Sequence, residues 1–229
     1  MALYAIGDLH LSFGTDKPMD IFGGKWDGYV EKLKQGLACM TEEDTLVLLG
    51  DVSWGLDLRE AKADFQFLHE IPGRKLIVKG NHDYWWSTAK KFEDFCTENG
   101  FTNMHLLHNN AFFYGDVAIC GTRGWFFEED QQGTHDEKVF RRELGRLEAS
   151  LKGAGEKEKL CFLHYPPRYR GYLCPEIIDL LQTYGVRQCF YGHLHGDSHK
   201  LAMEGLWDGI EYRLLAADFV NFTPQKILP

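Results

Sequence analysis

Short, mainly apolar runs recur along the chain at Leu3–Ile6, Thr45–Leu49, Lys75–Val78, Lys159–Leu163 and Gln188–Tyr191. Unbroken runs of this length mark strands buried on both faces. Between them the apolar positions switch to a helical period over Asp27–Met40, Leu58–Glu70, Ser87–Asn99, Asp136–Leu151 and Pro175–Tyr184. The last of these is punctuated as helices are, by Pro175 at its start and Gly185 just past its end. Within Phe112–Thr122 two β-rich runs flank Gly115-Asp116 and predict a hairpin, and the tail from Lys200 to Ile227 reads as further strands about a turn at Trp207-Asp-Gly. Strand–helix units thus dominate, with antiparallel additions in the middle and at the end. No linker or repeat divides the chain, so the expectation is one α/β domain over residues 1–229 with a mixed or double sheet.

With 229 residues, the chain can bury most of its apolar surface without disulfides or a partner. Twenty-five Lys and Arg against 34 Asp and Glu give a formal charge of −9. That field repels nucleic acids and anionic membranes, so non-specific nucleic-acid binding is not expected. The six cysteines are scattered and several sit in apolar runs, as in Lys159-Leu-Cys-Phe-Leu, which predicts buried reduced thiols. The first residues lack the basic stretch of a signal peptide, and no apolar run approaches 18 residues. A cytoplasmic protein without a membrane span is expected.

The chemistry lies at the ends of the predicted strands. Asp8-Leu-His10 follows the first, Gly50-Asp51 the second, Gly80-Asn-His-Asp83 the third, His164 the fourth and Gly192-His-Leu-His195 the fifth. In open α/β sheets the carboxyl ends of the strands are where functional residues gather, so the five can converge. One D-x-H or H-x-H alone is weak evidence. The set is strong, because so many polar groups in one crevice need a compensating charge. Asp8, His10, Asp51, Asn81, His164, His193 and His195 supply seven ligands, which, with one carboxylate shared, gives four to each of two cations. Four imidazoles mixed with oxygen donors suit manganese first, with iron or zinc also fitting, over magnesium or calcium. Two carboxylates against two divalent ions leave a locally positive pocket for a phosphate anion.

In this order, D-x-H, G-D, G-N-H-D, H and G-H-x-H resemble the calcineurin-like metallophosphoesterase superfamily, over residues 8 to 195. The resemblance implies a four-layer αββα fold, a β-sandwich of mixed sheets flanked by helices, with a dinuclear metal centre at one edge. It implies that Asp8, His10, Asp51 and His195 bind one metal. Asp51, Asn81, His164 and His193 would bind the other, with Asp51 bridging. It further implies that a hydroxide bridging the metals attacks phosphorus. His82 is placed by it near the leaving-group oxygen, with Asp83 available to orient the imidazole or, alternatively, to cap the helix that follows.

Substrate selection is less sharply written. Phosphoprotein phosphatases of the superfamily carry an arginine shortly after G-D, whereas Trp54 stands in that place here. That disfavours a Ser/Thr phosphatase and leaves a phosphoesterase acting on a small phosphodiester, phosphomonoester or nucleotide. A non-catalytic metal-binding scaffold is a further alternative, disfavoured by the complete ligand set. Arg123, between Gly121 and Gly124, is a candidate phosphate clamp, joined by Asn81, with Arg168 and Arg170 weaker candidates. Trp85 and Trp86 could stack a nucleobase, or anchor packing. The insert Gly14–Gly28 is expected to be a loop near the site, and Trp125–Asp130 part of a lid. Oligomeric state is not legible.

Overall fold

The computed structural model describes residues 1–125 and 134–229, with backbone alone at 134–136. The lid expected over 125–130 therefore lies, beyond Trp125, outside the described residues. Four parallel strands, β1 (Leu3–Ile6), β2 (Thr45–Leu48), β3 (Arg74–Ile77) and β4 (Met104–Leu106), lie side by side in chain order. The predicted hairpin is β5 (Ala111–Tyr114) against β6 (Val117–Thr122). It opens a second sheet that continues through β7 (Glu158–Leu163). A small ribbon, β8 (Arg168–Tyr169) with β9 (Tyr172–Leu173), precedes β10 (Gln188–Tyr191), which pairs parallel with β7. In the tail, β11 (Gly205–Trp207) and β12 (Ile210–Leu214) form a hairpin whose turn, Asp208-Gly209, has φ of 52° and 80°. Positive φ at both central positions matches the twist of the flanking strands. The last strand, β13 (Gln225–Leu228), crosses back to pair antiparallel with β1 in the first sheet.

Alternation along these strands explains the layering. In β2, Leu46 and Leu48 face an outer core while Val47 faces an inner one. In β7, Cys161 and Leu163 face outward, and Leu160 and Phe162 inward. Both faces of each sheet are thus apolar, so both must be covered. The inner faces pack on one another, with Phe162 stacked on Phe190 at 4.9 Å. The outer face of the first sheet is covered by α1 (Tyr29–Leu37), α2 (Lys62–Glu70) and α3 (Ala89–Asn99), through Leu33, Phe65 and Phe92. That of the second is covered by α4 (Thr134–Gly153) and α5 (Pro175–Thr183), through Leu147, Leu151 and Leu181. This is the four-layer αββα arrangement of an α/β fold with mixed sheets.

The helix starts differ from the periodicity for local reasons. Gly28, at φ 62°, follows two short 3-10 turns and delays α1 to Tyr29. The Asp57 carboxylate accepts from the amides of Arg59 and Glu60, holding a turn ahead of α2. Thr88 caps α3 by accepting from the Lys91 amide. Five cysteines are buried and all six are unpaired; Cys39 departs from expectation by being exposed.

Phe162, wholly buried between the sheets, reports on that packing. Phe162→Ala is expected to cost about 3–5 kcal/mol in denaturant titration with an unchanged slope. A loss below about 1 kcal/mol would contradict face-to-face packing there.

Candidate metal centre

The register aligns the carboxyl ends of five strands. Ile6 lies opposite Leu48, Leu48 opposite Ile77, and Leu163 opposite Tyr191. Just beyond, the two sheets are stitched together: the Gly7 amide donates to the Leu215 carbonyl, and the Ala217 amide to the Gly7 carbonyl. The next residues continue the pairing, Asp8 N–H to Gly50 and His10 N–H to Asp51. All the strand-end blocks therefore converge where the sandwich narrows.

Crowding there explains the glycines beside the ligands. A Cβ on Gly80 would overlap the Asp51 carboxylate, and one on Gly192 the Asp8 carboxylate. The chain also turns sharply enough to place Asp8, His10, Asp51 and His193 at φ of 60°, 47°, 50° and 71°. Non-glycine residues in this region are strained and cluster at functional sites.

The seven candidate ligands face one another. His10 Nε2 lies 3.2 Å from His195 Nε2 and 3.8 Å from Asp51 Oδ2, and His195 Nε2 lies 3.3 Å from Asp8 Oδ1. His164 Nε2 lies 3.6 Å from Asp51 Oδ2 and 2.6 Å from Asn81 Oδ1, which is 3.1 Å from His193 Nδ1. His164 Nδ1 is also 3.7 Å from Asp8 Oδ1, so Asp8, Asp51 and His164 form a group beside that of Asp8, His10 and His195. Donors about 2.1 Å from a common ion lie roughly 3 Å apart, and these spacings match that requirement.

The donor chemistry fits cations. Asp8 and Asp51 are buried, and among the described residues neither pairs with a lysine or arginine. His164 Nδ1 faces the Leu49 carbonyl at 2.9 Å, so it carries the hydrogen and leaves the Nε2 lone pair aimed at the Asn81 oxygen. Two lone pairs at that distance repel unless a positive charge lies between them. On the other side, Asp218 accepts from His195 Nδ1 at 3.0 Å and from the Gly196 amide, turning His195 Nε2 inward.

Burial drives the imidazoles apart in protonation. His164 and His193 are pushed down to about 3 by desolvation, with neighbouring imidazoles adding to it, and His10 falls well below the usual range for the same reasons. Burial also pulls His195 down, but Asp8 and Asp218 outweigh it and raise it to about 10. Desolvation, with Asp83 and Asp8 nearby, lifts Asp51 well above the usual carboxylate range.

His82 donates its backbone N–H to Asp51 Oδ1 at 2.7 Å, and its ring stands 4.7 Å from Trp54 and 5.7 Å from His10. Its Nδ1 has no hydrogen-bond partner among the described residues. Burial, His195 and Lys17 lower its pKa, against the pull of Asp8. The Asp83 carboxylate neither caps α3 nor bonds that imidazole. It accepts from the amides of Gly80, Asp51, Val52 and Ser53 and from Trp85 Nε1, clamping two ligand-bearing loops together.

The Arg123 carbonyl accepts from the His164 and Tyr165 amides, while its guanidinium lies 3.8 Å from Glu143 and over Trp125 and Tyr165. Arg168 is drawn away to Asp208 at 2.6 Å. Trp85 is buried against Phe65 and Phe92, and Trp86 lies on His108, so this pair packs locally. Sequence reasoning passed over Asp218, although it follows the apolar run of β12 as the other ligands follow theirs. It also passed over the cavity of about 660 Å³ that opens beside His10, His82 and His195, walled by Met19, Trp26 and Trp54.

Among the described residues no helix is long and apolar enough to cross a membrane. A family model described as calcineurin-like phosphoesterase matches residues 1–197. No curated protein gives a significant match. A crystal structure of a protein of unknown function from Aquifex aeolicus is similar with a TM-score of 0.53 at 16% identity, over 98% of this chain and 95% of that one. A second, of a Thermus thermophilus protein, gives 0.58 at 14% identity, over 99% and 97%. At these identities the likeness is one of fold.

Two outcomes follow for metal loading. His195, raised to about 10 by Asp8 and Asp218, holds a proton at neutral pH that a cation must displace, so Mn²⁺ affinity should rise with pH and binding at pH 7 should release protons. Calorimetry in buffers of different ionisation enthalpy measures this, and zero release would contradict it. Asp218→Ala, which removes the acceptor that holds His195 Nδ1, is expected to weaken Mn²⁺ binding about 10- to 100-fold in equilibrium dialysis; unchanged affinity would remove Asp218 from the site.

Proposed function

The chain belongs to the calcineurin-like phosphoesterase family, and from that premise we propose that it hydrolyses a small phosphodiester, phosphomonoester or nucleotide at a centre of two divalent cations. The observation that supports this most is the convergence of five strand ends on two buried carboxylates that lack any lysine or arginine partner among the described residues. Asp8, His10, Asp51 and His195 would hold one cation, and Asp51, Asn81, His164 and His193 the other. Manganese suits this donor set first, and iron or zinc next. When bound, the cations supply an activated water and neutralise charge on the phosphoryl oxygens.

The remaining chemistry belongs to the chain. Leu49 and Asp218 fix which nitrogen of His164 and His195 faces inward. Asp83 is a positioning residue: its carboxyl oxygens accept five donors, which hold the Asp51 and Asn81 loops in register. His82 borders the cavity with its backbone tethered to Asp51. In this reading it delivers a proton or hydrogen bond to the departing alcohol oxygen. Arg123 pairs with His164 through the backbone, and its guanidinium adds positive potential at that imidazole while lying 3.8 Å from Glu143; Asn81 would be available to the substrate as well as to the second cation.

The deciding assay is hydrolysis of bis-p-nitrophenyl phosphate and of p-nitrophenyl phosphate with added Mn²⁺, alongside metal counting. The expected result is metal-dependent turnover at about two equivalents, reduced roughly 10²-fold or more by His82→Ala with metal content unchanged. A protein that binds two metals and turns over neither ester would overturn the enzymatic reading in favour of a scaffold.

A further inference from the structure

The cavity beside the cation ligands is larger than a phosphoryl group requires. At about 660 Å³ it falls in the range of pockets that take whole small molecules. His10, His82 and His195 are part of its lining, so whatever occupies it sits beside the candidate cation ligands. The insert at residues 14–28 contributes Met19, Phe22 and Trp26 to the lining, with Met19 packed beside Trp54.

These aromatic surfaces are set before a ligand arrives. Trp54 stacks on His10 at 4.9 Å with rings 26° apart, and its Nε1 points to Met19 Sδ at 3.4 Å. Trp26 is buried and meets His10 and Phe222 edge-on at 5.9 and 5.2 Å. Side chains already fixed lose little entropy on binding, which favours a flat, rigid partner. Phe22 stands at the rim, 68% exposed, with apolar surface that a ligand would cover. The far wall is polar: Lys25, whose ammonium uses one hydrogen on the Asp218 carbonyl, stands near His199. An alkyl chain lying there would leave those groups without partners, at a cost. A heteroaromatic ring, apolar on its faces and polar on its edges, satisfies both kinds of wall.

We propose that the substrate carries a planar aromatic group of nucleobase type, seated in this cavity against the side chains of the 14–28 insert and Trp54, beside His82. This rests on the phosphoesterase reading above and adds to it the nature of the group attached to phosphorus. Phe22 and Trp54 are its selectivity residues.

Calorimetric titration of the Mn²⁺-loaded protein with the non-hydrolysable phosphonate analogues of adenosine 5′-monophosphate, phenyl phosphate and butyl phosphate, each called by its parent ester, tests the assignment independently of turnover. Adenosine monophosphate should bind about 10-fold or more tighter than butyl phosphate. That preference should shrink to within about threefold in Trp54→Leu, survive in Trp54→Phe, and weaken in the rim variant Phe22→Ala. Phenyl phosphate matching the nucleotide would support an aromatic site satisfied by a simple aryl group, whereas phenyl phosphate matching butyl phosphate would support one that needs the base. Butyl phosphate binding as tightly as the nucleotide, or a preference untouched by Trp54→Leu, would overturn the proposal. A protein that keeps the preference but hydrolyses no phosphoester would refute the function above while leaving the pocket assignment standing.

Discussion

Two carboxylates, Asp8 and Asp51, are buried where the sheets of the sandwich meet, and no lysine or arginine among the described residues answers them. A lone buried charge is expensive, and a protein escapes that cost by neutralising the group, pairing it or binding a cation. Here backbone amides give partial relief, from His193 to Asp8 and from His82 to Asp51. One positive charge comes from His195, which Asp8 and Asp218 keep protonated, while burial keeps the other three imidazoles neutral. Neutral imidazoles offer lone pairs and no charge. The site is therefore built as a set of donors, and its unmet requirement is positive charge.

The same constraint shapes the backbone around it. Packing two carboxylates between five strand ends leaves no room for a side chain on Gly80 or Gly192. It also forces four ligand-bearing residues into left-handed conformations. Such strain persists only where the surroundings over-determine it. The Asp83 clamp is one such surrounding, tying the loop after β2 to the loop after β3, and the Gly7 bonds to Leu215 and Ala217 are another, tying one sheet to the other. Asp83 and Asp218 add two further buried carboxylates, so the region is acidic throughout. The chain's charge of −9 is consistent with that and gives no hint of the anion its site would attract.

What could be read in the sequence was what repeats with strand geometry. The apolar runs located β1, β2, β3, β7 and β10 within a residue, and the polar blocks after them marked the converging ends. Helix starts were less legible, because the Gly28 conformation and the Asp57 turn are set by a few atoms and not by periodicity. Trp85 illustrates a different limit: a tryptophan next to a ligand block reads first as a packing anchor yet leaves stacking on substrate open, and its burial against Phe65 decides for packing. Asp83 next to His82 invited a side-chain pair, yet three-dimensional proximity to four backbone amides took the carboxylate elsewhere. Asp218 escaped notice because only pairing with His195, 23 residues away, gives it meaning.

Strand ends and loops divide the work at this site. Ligands on strand ends are held by sheet register, which tolerates little change, whereas loops can vary without disturbing the core. The 14–28 insert is of the second kind: two 3-10 turns, partly exposed, contributing wall and no ligand. Trp54 belongs to both. It lies three residues after Asp51, its amide pairs with Leu11, and its indole backs the ring of His10 while facing the cavity. An arginine there would place a cation against an imidazole that must itself accept one, and would extend the charged surface into the cavity. The indole instead lets the segment that follows the shared carboxylate form an apolar wall. Under the proposals made above, selectivity for the group attached to phosphorus would thereby be coupled, through one stacked ring, to the position of a candidate cation ligand.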